Sequence, residues 1–566
     1  MAGCQLIGSI EVRDEYVAPV GGAGGDTGGN GGSKPKAGSG GDDASGGSSA
    51  GSGVVEGGAS GAPPGGGTAG EADAGAAGTG TEPPVVCGDG DAEGDEACDD
   101  GAQNGEADKC DASCAFVCDG PCPLRVDPTV TNGGDGASWA TAMSSLQAAV
   151  TAQQSAGGGE VWTKQATITA AKATPMLTLG SSVQIYGGFE GTEVLRSQRP
   201  TPTEATVTVL DAAGLAYPAV KGAGGATLDG FMIKNASGNG GSAFQATSVT
   251  GLVLRNVWFT GNSSKGAGNC GAALVLNGGG ATLENCRFEA NTSEGVGGAI
   301  CLENSVSVLT VVGTSFVNNE AAGGGGAIHA MGSYSPSRIP TVHVTGSTFI
   351  GNKATTQQTN GGAVYMLNAK LDITSSDFMS NSASIGYGMA VYCASDSVCS
   401  ILNSAFVKNL GFRSAVAGQT STMKIVNSTF AFNDGGCPDH CDISTDGFLE
   451  LQNSVLVQSE KIYMTSTNGV TTSSNNCSIF IAGGLGSKPS PFVDPLVDVD
   501  GNGVPEYLLA QPADNGCLGI GSDANATAAG LDWAALTTSA NNCLDKSPVD
   551  AGRHYAPTQP NTKTCD

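Results

Sequence analysis

The sequence predicts an all-β protein, a single-stranded right-handed parallel β-helix, and three phased observations carry that reading. Phe-x-x-Asn occurs seven times, at Phe259/Asn262, Phe288/Asn291, Phe316/Asn319, Phe349/Asn352, Phe378/Asn381, Phe406/Asn409 and Phe430/Asn433. Successive phenylalanines lie 29, 28, 33, 29, 28 and 24 residues apart. That is too short for an independent domain, so each period is one unit of a stack, buried by its neighbours. A second mark keeps step: Gly-Ala-Ala-Leu at 271–274, Gly-Gly-Ala-Ile at 297–300 and 325–328, Gly-Gly-Ala-Val at 361–364 and a worn Gly-Met-Ala-Val at 388–391. Third, each Phe closes a short run, such as 254–259, 283–288, 344–349 and 425–430, with β-branched and aromatic residues at period two, which marks strands.

One coil is then roughly three short strands, and coils stack at about 4.8 Å. Equivalent Phe rings pile up inside, and the Asn residues form a hydrogen-bonded ladder at a bend. Gly, Ser, Asn and Thr between the marks supply the positive-φ corners that a coiling strand needs. Closure of the stack alone demands these repeated residues, so none of them is read as a ligand-binding code.

The elements follow in chain order. Residues 1–19 open with Met1-Ala2-Gly3-Cys4, which resembles the tail of a bacterial lipobox; the resemblance implies lipidation at Cys4 and a membrane anchor, with a start placed inside the signal peptide. The other reading is a secreted chain with an ordinary Cys4. Residues 20–84 are overwhelmingly Gly, Ala and Ser, a composition that buries too little apolar surface to offset ordering entropy and reads as a disordered tether. Residues 85–122 form a cysteine-rich module with Cys87, Cys98, Cys110, Cys114, Cys118 and Cys122. Its Cys87-Gly88-Asp89-Gly90, Cys98-Asp99-Asp100-Gly101 and Cys110–Cys114 pieces resemble a cysteine-rich repeat of bacterial surface proteins. So many cysteines with so little apolar sequence point to disulfides of open connectivity; zinc is the competing use, but paired C-x-x-C knuckles and histidines are lacking.

In 123–159 the stretch from Ser144 to Gln154 reads as a short amphipathic helix that caps the open end of the solenoid. The β-helix proper is expected over 160–515, with a C-terminal cap over 516–566. Cys393/Cys399 and Cys437/Cys441 are close enough to close short loops, and Cys477, Cys517, Cys543 and Cys565 are expected to staple the cap. With 18 cysteines, this is the sequence of an exported, oxidised protein.

The paired Gly-Gly-Ala-Ile/Val and Phe-x-x-Asn marks resemble the repeat of polymorphic outer-membrane proteins, which implies a surface β-helix with an adhesive role. Asp135–Trp139 with Leu146–Val150, Glu160-Val161-Trp162, and Ile185 to Glu193 resemble the opening segment of bacterial β-helix proteins of the pectate-lyase-like superfamily. The C-terminal residues 518–566 show no chain of ten-residue alternating strands of the kind that builds a membrane barrel.

Composition narrows the partners. There are 53 acidic and 25 basic residues, for a net charge of −28, which excludes a nucleic-acid footprint and a basic patch for anionic lipid. It also disfavours an anionic polysaccharide unless calcium bridges the two. One local metal signature stands outside the cysteine module: Asp498, Asp500, Asn502, Val504 (through its carbonyl) and Glu506, with Gly503 at the sixth position, follow the first half of a calcium loop. Leu509 stands where a bidentate Glu closes such loops, so the alternatives are a weak Ca2+ site and an Asx-rich turn.

No catalytic residue is assigned. A glycoside hydrolase needs two carboxylates at a set separation, and a lyase needs calcium-binding acids beside a basic residue; neither is visible in the sequence. His329 and His343 are expected in surface or turn roles. Glu289 with Glu320, and Asp372 with Asp377, are the carboxylates that neighbouring coils would bring together if register allows. Two functions result. The first is a monomeric cell-surface or secreted β-helix, a tethered outer-membrane lipoprotein that binds glycan or another surface without catalysis. The alternative is a polysaccharide lyase or glycoside hydrolase, implied only by the superfamily resemblance.

Overall fold

The computed structural model describes residues 118 and 120–554, except 119, 171–174, 216–217, 242, 267, 304–305, 334–337, 357–358, 436–441, 458–462, 465–470, 480–508, 510–516, 519, 539–544, 546 and 548, together with the backbone of 5–6. Cys4, the tether at 20–84, Cys87 to Cys114, Cys437, Cys441, Cys543, Cys565 and the 498–506 calcium loop therefore lie outside the described residues.

The chain is a right-handed parallel β-helix. A representative coil runs through strands Ile328–Met331, Thr341–Thr345 and Thr348–Ile350, then a two-residue strand Lys353–Ala354. Each of these strands pairs in parallel with its counterpart one coil on: Ile328↔Val364, Val344↔Ile373, Phe349↔Phe378 and Ala354↔Ala383. Strands alternate in and out, so each inward position becomes a column of like residues. Leu309, Val342, Leu371, Cys399, Met423 and Leu449 form one such column, and all are buried.

The seven phenylalanines form one column. Centroids of neighbouring rings are 4.7, 4.9, 4.6, 4.5, 4.8 and 4.9 Å apart from Phe259 to Phe430, with interplanar angles of at most 9°. The column extends past the repeat: Ile168, Leu210 and Ile233 precede Phe259 in register, and Leu456 follows Phe430. Burial fixes the inward position, and the strand spacing then imposes the ring stack.

Beside it runs the asparagine ladder. Each Nδ2 donates to the next Oδ1, from Asn262 through Asn291, Asn319, Asn352, Asn381 and Asn409 to Asn433, at 2.9–3.0 Å. The second Nδ2 hydrogen goes to a main-chain carbonyl, as from Asn352 to Phe316 O, while each Oδ1 also accepts a main-chain N–H, as Asn352 Oδ1 does from Asn319 N. A primary amide fully buried in a turn is thus completely satisfied, which is why Asn holds this position. The ladder ends on a carboxylate, Asn433 Nδ2 donating to Asp442 Oδ1 at 2.8 Å.

The residue before each ladder asparagine turns the chain with positive φ, at Gly261, Ala290, Asn318, Gly351, Ser380, Lys408 and Phe432. In the Gly-Gly-Ala mark the two glycines differ in role. The first has positive φ (Gly325, 74°), while a Cβ on the second would lie 2.2 Å from a main-chain oxygen of the next coil (Gly326 to Gly362 O). The first permits the turn, and the second permits the coils to approach.

The N-terminal end is closed by helix Leu146–Ser155. Ser145 Oγ caps it by accepting Ala148 N–H, and Leu146, Ala149 and Val150 are buried. Gln153, also buried, donates to the carbonyls of Cys122 and Glu160. Strand Leu124–Val126 pairs with Gly159–Lys164, so the first coil begins before residue 160. At the other end the Cys477–Cys517 disulfide anchors a segment that crosses the corner asparagines. Asn453 exchanges two hydrogen bonds with the backbone of Ser522, and Asn403 does the same with His554. Arg553 pairs with buried Asp377, and His554 Nε2 lies 2.7 Å from Asp545 Oδ2. Cys118–Cys122, Cys393–Cys399 and Cys270–Cys301 are also bonded; Cys286 is a buried free thiol.

Candidate ligand cleft

A cleft of about 1050 Å³ opens on the outer face of the first coils. Its floor is one outward register column: Trp162, Tyr186, Asp229 and Arg255 lie side by side on successive strands, with Arg125 before and Glu284 after. Glu160 and Gln184 stand in the neighbouring outward column. One wall is 157–159 with Ser182, and the other is the loop 195–202.

The segment from Ile185 to Glu193 builds much of this. Gly187 carries no side chain because a Cβ there would meet Gly230 O at 2.5 Å. Phe189 stacks on Trp162 at 5.0 Å, and Trp139 packs against Phe189 while its Nε1 donates to Glu193 O at 2.8 Å. The buried Glu193 carboxylate accepts the main-chain N–H groups of Glu190, Gly191 and Thr192, fixing the turn that leads into the wall loop.

The polar groups form a continuous lattice. Arg196 pairs with Glu160 and donates to the Tyr186 hydroxyl at 3.0 Å, its guanidinium 4.9 Å from that ring centroid. Trp162 Nε1 donates to Glu160 Oε2 at 2.7 Å. Arg199 Nη2 pairs with Asp229 Oδ1 at 3.0 Å, and Asn256 Nδ2 donates to the same oxygen. Arg255 Nε bonds Glu284 Oε2 at 2.6 Å, with its Nη1 at 3.9 Å from Asp229 Oδ2. Burial, then the Glu160 charge, pushes the Tyr186 phenol up, while the Glu284 hydrogen bond holds the Arg255 guanidinium above its ordinary value. Arg199 and Asp229 are an almost fully buried pair; Arg196 and Arg255 keep 50% and 41% of their side chains exposed, which leaves them open to a ligand.

Sequence reasoning did not find these residues. Three of the nine arginines in an acidic chain line one cleft, but Arg196 and Arg199 arrive from a segment without repeat marks, and only the register of the coils sets Arg255, within the first marked run, beside them. The outer face thus carries a cleft, and among the described residues neither of the two expected carboxylate pairs is brought together. Glu289 bonds Arg287 in its own strand and pairs in register with Val317, not with Glu320; Asp372 is exposed while Asp377 is buried against Arg553. His343 is at the surface, its Nδ1 3.0 Å from Asp372. His329 is not a surface residue: it is buried, stacked on Tyr365 at 5.0 Å, and burial pushes its imidazole down to about 4. Among the described residues no group of three or more His, Cys, Asp or Glu is placed to hold a metal ion, and no helix is long and apolar enough to cross a membrane.

No protein family matches the chain by sequence, and no curated protein matches it. Among solved structures it is similar to the pectate lyase Pel9A, at 14% identity and TM-score 0.33, covering 71% of this chain and 92% of that one. It is also similar to the A-module of the mannuronan C-5 epimerase AlgE6 of Azotobacter vinelandii, at 14% identity and TM-score 0.29, over 64% of this chain and 100% of that one. A third is PfbA, a surface adhesin of Streptococcus pneumoniae, at 13% identity and TM-score 0.29, over 59% and 87% of the two chains. At these identities and TM-scores the likeness carries no role over to this chain.

Proposed function

We propose that this protein is a surface or secreted β-helix that seats a glycan in the cleft over Glu160, Tyr186, Asp229 and Arg255 and holds it without turnover. The supporting observation is the arginine–carboxylate lattice. Arg196 and Arg255 present exposed, rigidly oriented donors, and Glu160 and Gln184 present acceptors beside them, an arrangement suited to the vicinal hydroxyls of a saccharide. The same lattice argues against hydrolysis: Glu160, Asp229 and Glu284 are each engaged by a guanidinium, so no acid in the cleft stands apart to protonate a leaving group.

A glycan-array screen of the oxidised chain, followed by titration and product analysis of each hit, tests this. Arg255→Ala should weaken binding about tenfold, the loss of one charge-assisted hydrogen bond. Depolymerised product that disappears in Glu160→Gln would replace binding by catalysis. Lipidation at Cys4 is proposed as the anchor, and membrane fractionation of Cys4→Ser tests it. The 498–506 loop is proposed as a weak Ca2+ site, tested by calcium titration of Asp500→Ala.

A further inference from the structure

A second outward face, on other strands and later coils, differs in character from the cleft. Cys301, His329, Tyr365, Tyr392, Ala417 and Ser444 occupy one outward register column there. His329 stacks on Tyr365 at 5.0 Å, Tyr392 follows at 5.3 Å with its ring tilted by 39°, and Tyr387 joins from the preceding loop, 6.3 Å from Tyr392. Arg413 lies over Tyr387, 4.3 Å from its centroid. The column of rings then stops, because Ala417 and Ser444 are small. Where it stops there is a pocket lined by Tyr387, Tyr392, Gln419, Ser444 and Asp446.

The polar groups of this pocket are held in fixed orientations. The Tyr392 hydroxyl donates to Gln419 Oε1 at 2.5 Å, which leaves the Gln419 Nε2 hydrogens as donors. Asp446 Oδ1 accepts Thr420 N–H, leaving Oδ2 as an acceptor. Among the described residues no other side-chain bond engages either atom. The interior is about 40 Å³, room for roughly three waters; it takes a small substituent and not a whole sugar ring. Two aromatic walls, one donor and one acceptor around a volume of that size match a methyl group joined to a C=O and an N–H.

We propose that this pocket is a binding site for the acetamido group of an N-acetylated amino sugar. The methyl packs on Tyr387 and Tyr392, the carbonyl accepts from Gln419 Nε2, and the N–H donates to Asp446 Oδ2. The sugar ring lies outside, on a surface carrying Arg413 and the exposed Phe412. The site shares no residue with the cleft.

The test is titration of the full oxidised chain with N,N′,N″-triacetylchitotriose and with cellotriose, which has the same backbone without acetamido groups. Running it in an Arg255→Ala background weakens the cleft about tenfold, and variants within this pocket then show whether the remaining preference arises here. Triacetylchitotriose should bind at least about tenfold more tightly, since a site built to hydrogen-bond a group rejects the analogue that lacks it. Asp446→Asn and Gln419→Glu are isosteric: each keeps its bond to Thr420 or Tyr392 and reverses the group offered to ligand. Each should remove the preference while leaving the thermal unfolding midpoint in place. Equal binding of the two sugars, no binding of triacetylchitotriose, or a preference untouched by both variants would overturn the assignment.

Discussion

Asp442→Asn would replace the carboxylate at the end of the asparagine ladder by one more asparagine. Asp442 is buried, Asn433 Nδ2 donates to its Oδ1 at 2.8 Å, and burial pushes its carboxyl from 3.8 up to about 7 against the opposing Asn433 hydrogen bond. That rise is about three units, and at about 1.4 kcal/mol per unit it corresponds to about 4 kcal/mol. The folded-state value lies above the unfolded one, so the protonated acid contributes stability fully below about pH 4, and this is lost as pH rises through about 7. Asparagine offers the same acceptor without the charge. The variant should therefore match the parent near pH 4 and be more stable by about 3–4 kcal/mol at about pH 8. Urea unfolding followed by circular dichroism, with hydrogen exchange at the amides of Ile443–Thr445, measures both the global and the local effect. Parallel pH profiles for the two proteins would refute the reasoning, because the difference between them isolates this one ionisation.

Three further outcomes are expected. Phe349→Ala should destabilise by about 3–5 kcal/mol, since the ring is fully buried between two stacked neighbours; an unchanged denaturation midpoint would contradict the stack. Asn352→Ala removes four hydrogen bonds in the interior and leaves their partners unsatisfied, so about 3 kcal/mol or more should be lost in the same assay. Cys286, whose thiol burial pushes up to about 12, should resist iodoacetamide in the native protein at neutral pH and react only on unfolding, as read by mass spectrometry.

Some cross-coil contacts carry a signal in the sequence spacing. In a stacked coil, residues about one period apart in sequence are neighbours in space. Cys270 and Cys301 are 31 residues apart and bonded, and Lys424 with Glu450 and His343 with Asp372 are cross-coil pairs of similar spacing. Proximity in sequence points to Cys393–Cys399 but not to Cys270–Cys301, which only the stacking of coils brings together. His329 is buried, against the surface or turn role expected of it, for a related reason. Alternation puts it on the outward side of its strand, but the Tyr365 ring and the glycine loop cover that side so closely that a Cβ added at Gly324 would meet the Tyr365 ring at 2.6 Å.

The sequence by itself determined the solenoid, because parallel stacking asks for the same residue type at the same point of every coil. Burial, turn geometry and amide satisfaction then write themselves into the chain as a period of Phe, Asn and Gly. The cleft and the acetamido pocket were decided only in three dimensions. Their residues are needed once and not per coil, and they come from loops and coils of unequal length: Glu160, Tyr186, Arg196, Asp229 and Arg255 in one, Tyr387, Tyr392, Gln419 and Asp446 in the other. What joins them is the register between strands, which depends on how many residues each loop inserts. A local pattern carries no information about that sum until the coils are stacked.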